Sequence, residues 1–84
     1  MTREDCERLA EALRVKFGGT VEYEPVNDAG RYRFAVVSPR FENMAHLERQ
    51  DAIWPIVDQT LDRAATIDVS LILAYAPTEL TAAE

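Results

Sequence analysis

The chain has 84 residues and a formal charge of −6, from 9 basic and 15 acidic side chains. Hydrophobic residues make up 48% of it, which predicts a small packed core, excludes a disordered chain and leaves no room for a deep catalytic cleft. The single cysteine and the charged amino terminus favour an intracellular, cytoplasmic protein, and no apolar run approaches the roughly 20 residues that cross a bilayer.

The first predicted element is a helix over residues 3–17. Its apolar residues recur at the spacing of one helical face, and they are Cys6, Leu9, Ala10, Leu13 and Phe17. Thr2 can cap the start of this helix, with Asp5 three residues later as a variant of the capping box, and Gly18 can end it.

Two strands are predicted next, because apolar residues alternate with polar ones over residues 21–24 and again over residues 31–36. Pro25 closes the first strand, and residues 27–30 have the composition of a turn. The two strands should therefore pair as a hairpin with a loop longer than the two-residue minimum.

The second half begins with a break at residues 38–41, followed by a helical stretch. Its predicted apolar positions are Leu47, Ile53, Trp54, Val57 and Leu61. Pro55 lies within this stretch, which predicts a kink or a restart of the helix there.

A last strand is predicted over residues 67–74, where both faces become apolar, as in a strand buried within a sheet. Beyond Pro77 the tail, residues 78–84, is expected to fray. The order predicts one α+β domain over residues 1–84: a three-stranded mixed sheet with helices on one face, its second and third strands parallel.

Three segments of the sequence resemble the BolA family. Residues 30–43 (GRYRFAVVSPRFEN) are similar to its second strand and following loop, and residues 47–50 (LERQ) to its helix motif Val-x-Arg-His. Residues 67–80 (IDVSLILAYAPTEL) are similar to its closing strand. The resemblance implies a fold of the type II KH kind with the order αββααβ.

The resemblance also implies a role in binding. Family members are partners of monothiol glutaredoxins, some share a two-iron, two-sulfur cluster with them, and the family is linked to iron-sulfur homeostasis, stress response and transcriptional regulation. This chain departs from the family where the cluster ligands stand. Asp68 replaces the closing-strand histidine, Gln50 replaces the helix histidine, and residues 25–30 contain neither Cys nor His. A carboxylate is a hard donor, so these departures count against ligation by the usual residues and leave a shared cluster open.

Few residues offer other chemistry. Cys6 is predicted to be a small buried hydrophobe, and His46, the sole histidine, a surface or capping residue. His46 and Asp68 are weak candidates for a metal site, because nothing near them in sequence completes a ligand set. No residue pattern indicates a nucleophile with its base, so we expect no catalytic residues and no enzyme.

The first functional hypothesis is a protein-binding module. Its candidate contact residues are Arg31, Arg33, Arg40, Phe41, Arg49 and Asp68. Phe41 and Trp54 each have two interpretations, a core side chain or an aromatic contact for a partner. A second hypothesis gathers the four arginines into a patch for nucleic acid, which the acidic charge disfavours, and a third is a self-associating structural domain that dimerises through an open sheet edge.

Overall fold

The computed structural model describes residues 1–26 and 30–82. Its elements are α1 (Arg3–Phe17), β1 (Thr20–Pro25), β2 (Tyr32–Val37), a 3₁₀ turn (Pro39–Phe41), α2 (His46–Thr60), α3 (Arg63–Ile67), β3 (Val69–Tyr75) and α4 (Pro77–Ala82). No helix within these residues combines the length and the apolar character needed to cross a membrane. Of the predicted turn at residues 27–30, residues 27–29 lie outside the described residues.

Helix α1 has the predicted bounds and the predicted cap. The Thr2 hydroxyl accepts a hydrogen bond from the Asp5 N–H at 3.1 Å, and the Asp5 carboxylate accepts one from the Thr2 N–H at 3.0 Å. Gly18 ends the helix with φ at +72°. All five predicted apolar residues of α1 are buried, so this helix packs into the core along one face.

The sheet has the order β1–β2–β3, with β1 and β2 antiparallel and β2 and β3 parallel. This confirms the hairpin and the mixed three-stranded sheet. One face is covered by the helices and carries the buried strand residues Val21, Phe34, Val36, Ile72 and Ala74. The other face carries alternate residues of each strand and lies open, as expected for helices packed on one side.

Pro55 does not divide the second helix, so of the predicted kink or restart the restart is wrong: α2 runs through the proline as one helix. Ile53 and Val57, on either side of Pro55, are fully buried. Burying two such side chains contributes about 1.5–3 kcal/mol each, which offsets the roughly 3 kcal/mol that an internal proline costs. The chain breaks instead after Leu61, where the Asp62 carboxylate accepts the Ala65 N–H at 2.8 Å and starts α3.

Three other expectations are wrong. Leu47 was expected among the apolar contacts of α2 but is 72% exposed. Strand β3 begins at Val69 rather than at residue 67, because residues 63–67 form α3 and Asp68 caps its end. The expected fraying is wrong for residues 78–82, which belong to α4, where Glu79 accepts the Ala76 N–H at 2.7 Å; residues 83–84 lie outside the described residues.

Candidate partner-binding surface

Arg31 and Asp68 lie at one end of the sheet. Arg31 is exposed just before β2, and the next residue, Tyr32, donates its N–H to the Asp68 carbonyl at 2.9 Å. The Asp68 side chain is 28% exposed and accepts a hydrogen bond from the Met1 ammonium at 2.5 Å. The structure therefore brings two of the predicted contact residues to the same end of the sheet through a backbone hydrogen bond.

Arg33 lies on the open face of the sheet. It stands opposite Glu24 in the hairpin register and forms an ion pair with that carboxylate. Both side chains are about half exposed, so the pair contributes little to stability. It does, however, neutralise one of the two glutamates of β1 on this face.

Arg40 lies at the opposite end of β2, where Ser38 fixes the loop. The buried Ser38 hydroxyl donates to the Phe17 carbonyl at 2.5 Å and accepts the Arg40 N–H at 3.1 Å. The Arg40 guanidinium is exposed and donates to the Lys16 carbonyl at 2.9 Å. Six strand residues, roughly 20 Å of extended chain, separate Arg40 from Arg31.

Phe41 is not a surface contact, because its side chain is fully buried. Its ring packs against the Phe17 ring with centroids 5.1 Å apart, and the Arg49 guanidinium lies 5.8 Å from its centre. Of the two interpretations of this residue, the core side chain is correct. Trp54 is partly buried against the core and donates its indole N–H to Gln50 at 2.9 Å.

Arg49 is also not a surface residue, since it is only 3% exposed. Its guanidinium donates to both carboxylate oxygens of Glu79, at 2.7 and 2.9 Å, and to the carbonyls of Ala74 and Met44. These hydrogen bonds raise the pKa of Arg49 and lower that of Glu79 to about 2. The four arginines therefore do not form one patch: one is buried and the other three are spread along β2 and its two ends.

The candidate metal ligands do not meet. His46 is exposed at the first turn of α2, whereas Asp68 lies beside the start of β2, which is the other end of the sheet. Cys6 is fully buried, and burial raises the pKa of its thiol. Within residues 1–26 and 30–82, no three His, Cys, Asp or Glu side chains form a group that could hold a metal ion.

Sequence reasoning missed two residues that shape this region. Gln50 donates to the Ile72 carbonyl at 2.9 Å, and Glu79 binds Arg49. A signal existed for Glu79, because a glutamate three residues into a helix, after a proline at its first position, is a common way to hold a helix start. Gln50 carried no such signal, since its partner is a strand carbonyl distant in sequence.

No protein-family model matches the chain, and no curated protein matches it in sequence. Solved structures do match. BolA1 from Arabidopsis thaliana superposes with a TM-score of 0.72 at 20% identity, over 93% of this chain and 98% of BolA1. The BolA domain of SufE1 from Arabidopsis thaliana superposes with a TM-score of 0.68 at 18% identity, over 94% of this chain and 98% of that domain. The fold implied by the sequence resemblance is confirmed: the chain has a BolA-like fold.

Proposed function

We propose that this chain is a BolA-like module that binds a protein partner and does not turn over a substrate, with a monothiol glutaredoxin as the first candidate. The observation that carries the proposal is the likeness to BolA1 over 93% of the chain. Iron-sulfur homeostasis in the cytoplasm is the process that this candidate partner would imply.

The end of the sheet that holds Arg31 and Asp68 is the contact surface we favour. These are the predicted contact residues that are both accessible and adjacent, whereas Phe41 and Arg49 are buried. The exposed Arg31 at this end suits a partner that presents a carboxylate, and such charge complementarity sets specificity and association rate more than affinity.

The donors that the described residues offer argue against ligation of an iron-sulfur cluster by this chain. Asp68 offers only a hard oxygen ligand, and its carboxylate already accepts a hydrogen bond from the Met1 ammonium. Iron in such clusters prefers thiolate or imidazole ligands. Cys6 is buried and His46 lies at the other end of the sheet. We therefore propose that this chain docks its partner without supplying the family's usual ligands.

Isothermal calorimetry of the chain with a cluster-loaded monothiol glutaredoxin tests the proposal. We expect binding with little change in the visible circular dichroism of the cluster. Arg31→Glu should weaken binding, whereas Arg14→Glu, at the far end of α1, should not. Asp68→His should change the visible spectrum by restoring the family's ligand, while Asp68→Asn should leave it unchanged. No heat of binding for the unmodified chain would overturn the proposal.

A further inference from the structure

The uncovered side of the sheet has an unusual composition. We call it the open face; its central residues are Glu22, Glu24, Arg33, Ala35, Leu71 and Leu73, and the register places Thr20, Val37 and Tyr75 at one end of it. A strand with one side in water normally places polar residues there, as β1 does, but β3 presents Leu71 and Leu73. Leu71 is 41% exposed. A contiguous apolar area rimmed by charges marks an interaction surface.

A hollow lies at the centre of the open face. It has a volume of about 210 Å³ and is lined on this face by Glu22, Glu24, Arg33, Ala35 and Leu73. Ala35 pairs with Glu22 on one side and with Leu73 on the other, so the small residue sits between larger ones. The hollow can therefore receive one apolar side chain, the usual anchor of an interface.

The outer edge of β3 offers little room for strand addition by a partner. The outer edge of β3 is covered, because Gln50 donates to the Ile72 carbonyl and Arg49 to the Ala74 carbonyl. The outer edge of β1 ends at Pro25, which has no N–H to donate. The leucines of β3 are thus accessible from the open face rather than along the β3 edge, and an element that packs on a sheet face is a helix.

The charge of the open face selects the partner. Arg33 neutralises Glu24, so Glu22 leaves this face with a net negative charge, and the whole chain carries −6. A second copy would bring the same acidic rim and the same net charge, so self-association is opposed electrostatically. A basic partner is attracted both by the acidic residues of the open face and by the net negative charge of the chain.

We propose that the open face docks an amphipathic helix of a protein partner. One apolar side chain of that helix enters the hollow over Ala35, its other apolar residues contact Leu71 and Leu73, and its lysines or arginines lie over Glu22 and Glu24. This surface is separate from the glutaredoxin contact at Arg31 and Asp68, so either proposal can fail alone.

The test uses the chain and a synthetic helical peptide of about 16 residues, roughly 24 Å long as a helix and so matched to the strands. Its leucines follow the i, i+3, i+4, i+7 pattern and its other positions are lysines. We expect amide resonances of residues 33–37 and 71–75 to shift on binding. A second peptide with glutamate in place of every lysine should not bind.

Variants locate the site. Leu73→Glu should weaken peptide binding by about ten-fold or more, which corresponds to losing a central interface contact, and Leu71→Glu serves if that variant is unstable. Replacing both Glu22 and Glu24 by glutamine should also weaken peptide binding. Val15→Glu is the matched control, because Val15 is an apolar residue of α1 that is 76% exposed.

Three results would overturn the proposal: no binding of the lysine peptide, equal binding of both peptides, or shifts confined to other surfaces. Sedimentation of the chain alone tests whether a second copy of the chain occupies the open face. A dimer that Leu73→Glu dissociates would show that the open face belongs to a second copy and not to a basic helix.

Discussion

Arg49 and Glu79 form a two-pronged ion pair that ties α2 to α4 across 30 residues of sequence. The guanidinium is almost fully buried and also donates to the carbonyls of Ala74 and Met44, so it joins the loop before α2, the last strand and the last helix. Bidentate pairs of this kind fix geometry as well as adding energy. The carboxyl-terminal helix is thus part of the folded unit.

Removing the guanidinium should destabilise the protein. We expect Arg49→Ala to lower the free energy of unfolding by about 2–4 kcal/mol, because the buried Ala74 carbonyl and the partly buried Met44 carbonyl each lose their donor, at roughly 1–3 kcal/mol for a fully buried group. Urea unfolding followed by circular dichroism measures this. Arg63→Ala, at an exposed arginine, is the control and should change little. A loss as small as that of the control would contradict the role given to Arg49.

The stability of the protein should depend on Glu79 at acid pH. The hydrogen bonds from Arg49 lower the pKa of Glu79 from 4.5 to about 2 in the folded chain. Since the folded pKa is the lower one, folding favours the carboxylate, and this contribution is complete above pH 4.5 and is lost as the pH falls toward 2.

Urea unfolding between pH 7 and pH 2 checks this, with Glu79→Gln as the comparison. The variant should be less stable than the parent chain at pH 7, and the difference should shrink steadily below pH 4.5. A difference that stays constant down to pH 2 would mean that Glu79 titrates at its ordinary pKa in the folded chain.

Gly19 should tolerate no side chain. A Cβ atom at this position would lie 1.9 Å from the Val37 carbonyl oxygen, so backbone would have to move. Gly18 also has a positive φ, +72°, but a Cβ there meets open space. We expect Gly18→Ala to cost about 1–3 kcal/mol from backbone strain alone, and Gly19→Ala to cost clearly more. Thermal unfolding of the two variants compares these costs. Equal melting temperatures would refute the close approach of Gly19 to the Val37 carbonyl.

Gln50 should couple the edge of β3 to the single tryptophan. Its amide donates to the Ile72 carbonyl and accepts the Trp54 indole N–H, each at 2.9 Å. We expect Gln50→Ala to lower the free energy of unfolding by about 1–3 kcal/mol and to shift the tryptophan emission. Asp51→Ala, one residue along and exposed, is the control. Unchanged tryptophan fluorescence and unchanged stability in Gln50→Ala would contradict the coupling of β3 to Trp54 through Gln50.

Cys6 should react only when the chain unfolds. Its side chain is fully buried and burial raises the pKa of the thiol, so the reactive thiolate is scarce and inaccessible. A colorimetric disulfide reagent should modify the native protein far more slowly than the protein in urea. Rapid modification in both states would indicate that α1 opens readily.

Much of the fold is encoded locally and could be predicted. Helix α1 could be predicted because its apolar spacing, its Thr2 N-cap and its C-terminal glycine all indicate the same bounds. The error at Pro55 has a physical cause: a local rule disfavours helix there, but the burial of Ile53 and Val57 overrides it. That burial depends on tertiary packing, which no local pattern reports.

The candidate site was less predictable for the same reason. An arginine such as Arg49 is ordinarily a surface residue, and only its pairing with the distant Glu79 permits burial. The doubly apolar pattern of β3 predicted a strand buried within the sheet. The pattern is real, but β3 lies at the side of the sheet, with Gln50 and Arg49 on its edge and its second face uncovered.

The covering of that edge has a consequence for behaviour at high concentration. An unpaired apolar strand in water is a template on which other chains add strands, and such growth leads to amyloid fibres. Here two side chains of α2 occupy the carbonyls of Ile72 and Ala74 that an incoming strand would need. The protein therefore keeps leucines exposed on its last strand while two of the carbonyls that a neighbouring strand would need at this edge are already hydrogen-bonded.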